Sequence, residues 1–98
     1  VGSTKYQHEY NLTQIGDVIT GTGKYPAGNY DENVVGQVVQ FTRQGAKPLI
    51  TLTIVYLSGD EGYGGCAVLM PTSNSSITGQ YIDVNGTQGS VVMTKVAS

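Results

Sequence analysis

The chain has no tryptophan, one cysteine, one histidine and one phenylalanine, and only 12% of its 98 residues are charged. A single cysteine, Cys66, rules out an internal disulfide, and nothing positively charged lies beside it to lower its pKa. It is expected to be a small apolar side chain buried in a strand. One histidine and one cysteine, His8 and Cys66, do not make a metal-ligand set, so no metal and no cofactor are expected. The five basic residues are scattered and the net charge is −2, which argues against nucleic-acid binding, whose footprint is a clustered basic patch. No apolar run approaches the length of a membrane-spanning helix. There is no GxSxG element and no glycine-rich loop leading into a helix. An average soluble protein is about a quarter charged; here solubility has to come from Ser, Thr, Asn, Gln and Gly. The chain is therefore expected to be soluble, with a composition common among exported β proteins. The compartment itself is not readable.

What is present is period-two alternation and a near-repeat. Ile19-Thr20-Gly21-Thr22-Gly23-Lys24-Tyr25 is echoed by Ile77-Thr78-Gly79-Gln80-Tyr81. A β-branched pair, a glycine and an aromatic suit a sharply curved strand, because the glycine admits the bend and an aromatic can fill the space beside it. Alternation and turn residues together predict strands over about 3–14, 18–25, 33–43, 49–57, 66–70, 76–84 and 89–96. Gly16-Asp17 and Asn85-Gly86 supply tight turns, and 26–32 and 58–65 read as loops. In the first strand Tyr6, His8, Tyr10 and Leu12 share one face, with Lys5, Gln7, Glu9 and Asn11 opposite. The third strand is mixed on both faces and is expected to be covered on both. The fourth, with Ile50, Leu52, Ile54 and Tyr56 on one side, should lie near the centre of the sheet. The expectation is one all-β domain over residues 1–98. It should be a small antiparallel meander barrel of seven or eight strands, with a β-sandwich as the alternative. Seven strands cannot close a purely antiparallel barrel, since the first and last would then run parallel; either one strand splits at a bulge into two, or the barrel stays partly open.

The first hairpin, Gly16-Asp17-Val18-Ile19-Thr20-Gly21-Thr22-Gly23-Lys24-Tyr25, resembles that of calycin-type barrels, the group of avidins and lipocalins. The continuation Tyr25-Pro26-Ala27-Gly28-Asn29 is similar to the following loop of bacterial avidins. The ending Gly89-Ser90-Val91-Val92-Met93-Thr94-Lys95-Val96 resembles their last strand. The resemblance implies a barrel but not its biotin site. The tryptophan walls are missing, the expected hydroxyl falls at Ala27, the expected last-strand carboxylate falls at Val91, and only Tyr25 carries over.

Seven tyrosines stand against one phenylalanine. Tyrosine joins a large apolar ring to a polar tip and suits a half-buried pocket or an interface. Tyr6, His8, Tyr10, Tyr25, Tyr56 and Tyr81 are the candidate ligand-binding residues. The competing view packs the tyrosines at barrel ends and between subunits, and makes His8 an ordinary strand histidine. Neither Asp60-Glu61 nor Asp31-Glu32 can act as a carboxylate pair on extended backbone, because adjacent side chains point opposite ways; both pairs read as solvated loop. Asn-x-Ser/Thr triplets at Asn11, Asn74 and Asn85 are expected by chance in this composition. No catalytic residue is assigned. An enzyme would need His8 and a tyrosine as acid and base, and the reading leans away from it. It favours a non-enzymatic module for an apolar or aromatic small molecule. The alternative is a structural homo-oligomer whose low charge reflects buried outer faces and edges.

Overall fold

The computed structural model describes residues 8–25, 30–58 and 62–95. Tyr6, the first strand before His8, the loop residues 26–29 and the pair Asp60-Glu61 lie outside the described residues. The described chain forms β1 (Glu9–Ile15), β2 (Val18–Tyr25), β3 (Tyr30–Val39), β4 (Leu49–Ser58), β5 (Gly64–Pro71), β6 (Ser76–Asp83) and β7 (Gln88–Thr94). They make a single antiparallel sheet in the order β1-β2-β3-β4-β5-β6-β7. The all-β class, the meander and the central place of β4 follow the sequence expectation. Of the two outcomes expected for seven strands the sheet takes the open one: β1 and β7 do not pair, so the described strands form neither a closed barrel nor a two-layer sandwich. The parity of the strands accounts for this, because β1 and β7 run the same way and cannot join in an antiparallel ladder.

Tight turns set the registers. Ile15 pairs with Val18 across Gly16-Asp17, a two-residue hairpin in which Gly16 adopts φ +61°. At the β6–β7 turn, the Asp83 carboxylate accepts the backbone N–H groups of Asn85 and Thr87, each at 2.9 Å. Gly86 there has φ +83°, a conformation that costs a side-chain-bearing residue.

The two halves of the near-repeat occupy matching places in β2 and β6. Ile19 is buried and Ile77 packs against the core. A Cβ at Gly21 would collide with the Asn11 carbonyl, and one at Gly79 with the Val68 carbonyl. At these two glycines the neighbouring strand's backbone closes in, whereas at Gly23, in the same repeat, the Tyr10 ring fills the space as expected. The sheet therefore curls at both flanks. One face becomes an inner surface whose core is Ile19, Val34, Val38, Leu52, Ala67 and Leu69. Tyr10 and Leu12 from one edge strand, and Val91 and Met93 from the other, pack against that core.

The outer face stays in water. Val35, Val55, Leu57, Val68, Met70, Ile82 and Val92 are each between 41 and 66% exposed. This corrects two expectations. The third strand is covered on one face only, with Val34 and Val38 buried and Val35 exposed, because no second layer among the described residues lies over the sheet. Cys66 is an exposed free thiol on the outer face, 3.6 Å from Thr53 Oγ1, rather than a buried one. β3 also begins earlier and ends earlier than residues 33–43, leaving Phe41 outside it and exposed.

Candidate functional site

In a meander the starts of odd strands and the ends of even strands gather at one end of the sheet. The inward residues at that end are aromatic or polar: His8 and Tyr10 at β1, Tyr25 at β2, Tyr30 and Glu32 at β3, and Tyr56 at β4. Between Asp31 and Glu32 the β3–β4 register slips by one, leaving Leu57 without a partner. A bulge of this kind re-aims side chains where it occurs, and here it seats Tyr56 opposite Glu32.

Glu32 is 1% exposed, the one buried charged-type side chain among the described residues. Its Oε2 lies 2.7 Å from His8 Nδ1, and its Oε1 accepts the Tyr10 hydroxyl at 2.9 Å. A buried carboxyl is tolerated only when its oxygens are bonded, and no described buried side-chain polar atom lacks a partner. Burial first, then the charge of Glu32 and the hydrogen bond to it, push the Tyr10 phenol far above its ordinary pKa. Tyr10 is thus held as a neutral donor.

The rings form a connected cluster around this pair. Tyr25 stacks on His8 with centroids 4.8 Å apart, and Tyr10 lies nearly parallel to His8 at 5.9 Å. Tyr56 meets His8 edge-on at 6.5 Å. Tyr30 bridges Tyr25 and Tyr56 at 5.7 and 5.5 Å, and Tyr63 meets Tyr56 edge-on at 4.9 Å. These are ordinary attractive aromatic geometries. Tyr63 in turn donates its hydroxyl to Asp83. That bond raises the Tyr63 phenol and, from the other side, lowers the Asp83 carboxyl.

Of the six candidates, the structure brings His8, Tyr10, Tyr25 and Tyr56 together. Tyr6 lies outside the described residues. Tyr81 faces inward on β6 but sits apart, its ring 2.6 Å from where a Cβ of Gly89 would stand. Sequence reasoning missed Glu32, Tyr30 and Tyr63. Asp31 and Glu32, read as solvated loop, belong to β3, and Glu32 is the most buried polar group. The signal existed: Tyr30, Glu32, Val34, Gly36 and Val38 share one parity, so the strand could have been extended backwards.

The opposite end of the inner face is aliphatic. Leu12, Ile19, Val38, Ile50, Leu52 and Ile77 line an open cleft of about 220 Å³. A second cleft, about 230 Å³, lies beside Tyr63, Gly64, Cys66 and Val84. Both fall short of the roughly 300–1,000 Å³ usual for drug-sized ligands. No cluster of potential metal ligands occurs among the described residues, and no described helix could cross a membrane. Comparison with family models, curated proteins and solved structures returned no match for this chain.

Proposed function

We propose that this protein is a non-enzymatic binding module that holds an apolar or aromatic small molecule on the inner face of its curled sheet. The observation that supports this most is the ring cluster of Tyr25, Tyr30 and Tyr56 about His8, with His8 and Tyr10 both bonded to the buried Glu32 carboxyl. Such a surface offers half-exposed ring faces for stacking without an unpaired buried charge to repel an apolar guest. The aliphatic cleft at the other end of the same face would take a methyl-bearing or alkyl portion. The likeness of the first hairpin to calycin-type barrels points the same way.

With no tryptophan present, intrinsic fluorescence comes from the tyrosines and reports on their surroundings. Titration with anilinonaphthalene sulfonate should give saturable quenching at micromolar probe. Tyr56→Ala should lose this response, while Val68→Lys on the outer face keeps it. Quenching lost in Val68→Lys and kept in Tyr56→Ala would sink the reading.

A second reading is favoured by the outer face, where Val35, Val55, Val68 and Ile82 are exposed on neighbouring strands. Exposed apolar side chains spread over neighbouring strands in this way suit association into a homo-oligomer.

A further inference from the structure

β7 ends the sheet, and no described strand covers its far side. Which of its backbone groups are free follows from two turn bonds. Asp83 N–H donates to the Thr87 carbonyl at 3.0 Å, and Lys95 N–H donates to the Ser75 carbonyl at 2.7 Å. Backbone groups alternate in direction along a strand, so those of the odd-numbered residues of β7 face β6. Those of Gln88, Ser90, Val92 and Thr94 face away. Natural sheets guard such an edge with lysine, proline, a bulge or a covering segment. The strand Gln-Gly-Ser-Val-Val-Met-Thr carries none of the sequence guards, and its ladder to β6 runs without a register shift.

We infer that β7 is a dimerisation edge, at which two copies of this chain pair antiparallel about a twofold axis at Val91. That register joins Gln88 to Thr94 and Ser90 to Val92 of the second copy, and engages every free backbone group on both strands. No charged side chain lies within β7, so the twofold axis brings no like charges together. At the strand ends it does the opposite. Asp83 is bonded to Thr87 across the β6–β7 turn, and the register places Lys95 of the second copy directly across from Thr87, two strand spacings from Asp83 in the same row, a distance a lysine side chain can largely span. The axis repeats this attraction twice. The pairing would double the width of the sheet and leave the aromatic cluster untouched. It is therefore independent of the small-molecule reading, and it uses a different surface from association through the outer face.

Sedimentation velocity at about 100 µM, a concentration suited to a small interface, should give twice the 10.3 kDa monomer mass. Val92→Pro removes only an outward N–H, which an edge strand tolerates. It should leave the circular dichroism of the sheet intact and yield a monomer. Lys95→Glu should weaken dimerisation roughly tenfold, with the effect fading in high salt. Val68→Lys should leave the dimer in place, whereas association through the outer face would be lost. A wild-type monomer at that concentration overturns the assignment, as does a dimer that both Val92→Pro and Lys95→Glu leave unchanged. Should Val92→Pro fail to fold, Lys95→Glu decides alone, and wild-type affinity in that variant counts against β7.

Discussion

The two ends of the inner face are built from the same strands yet hold together by different physics. At one end Ile19, Val38, Leu52 and Leu69 are held by burial and contact alone, an attraction without direction that does not depend on pH. At the other, Glu32, His8 and Tyr10 are held by directed bonds between groups that water would otherwise solvate. An aliphatic packing can relax when a side chain changes, whereas a buried polar network is either satisfied or costly. The aromatic end is accordingly the part of the sheet with fixed geometry, which is what a binding surface needs.

Three measurements would sharpen or break that contrast. Leu52 is 2% exposed on the central strand, and Leu52→Ala should cost about 3 kcal/mol, the scale of a core cavity. Denaturant unfolding should show that loss equally at pH 5 and pH 8. A loss confined to one pH would mean that the aliphatic end is not separable from the polar one.

Glu32→Ala should cost about 2 kcal/mol by stripping the partners of His8 and Tyr10. Glu32→Gln, which keeps an acceptor for the Tyr10 hydroxyl, should cost clearly less. Equal losses in the two variants would show that Glu32 matters only as volume.

The smallest effect is on alkaline stability. Tyr10 and Tyr63 hold their protons more tightly when folded, Tyr10 chiefly by burial and Tyr63 chiefly by its bond to Asp83. A raised folded pKa gives stability that is whole below the unfolded tyrosine value of about 10 and shrinks as pH rises past it. Unfolding midpoints should therefore fall above about pH 10, and Tyr10→Phe should flatten that fall. An unchanged slope in Tyr10→Phe would remove Tyr10 from the account.

Much of this was legible in the chain. β2 was expected at its observed bounds, because Gly16-Asp17 and the alternation after Val18 leave little freedom. The inward row of β4 was readable from Ile50 to Tyr56 for the same reason. The gathering of His8, Tyr10, Tyr25 and Tyr56 followed once a meander was assumed. Glu32 was hidden because a carboxylate beside another acidic residue, shortly after the run Pro26-Ala27-Gly28-Asn29, has the composition of a loop. Only a partner from a distant strand makes its burial tolerable, and no local pattern announces that partner. Cys66 was misplaced because a residue of its parity is buried only if the outer face is covered.

By itself, then, the sequence determined the strands, their turns and their inner and outer rows, since these depend on local sterics and on a period of two. Tertiary structure alone decided the rest: a sheet left open rather than closed by a split strand, a buried carboxyl at the centre of a tyrosine cluster, and a β7 edge that no described strand covers. Those outcomes depend on how far the strands curl and on which remote groups then meet. That is a matter of the whole sheet's geometry, with Gly21 and Gly79 admitting the bend and the parity of seven strands forbidding antiparallel closure.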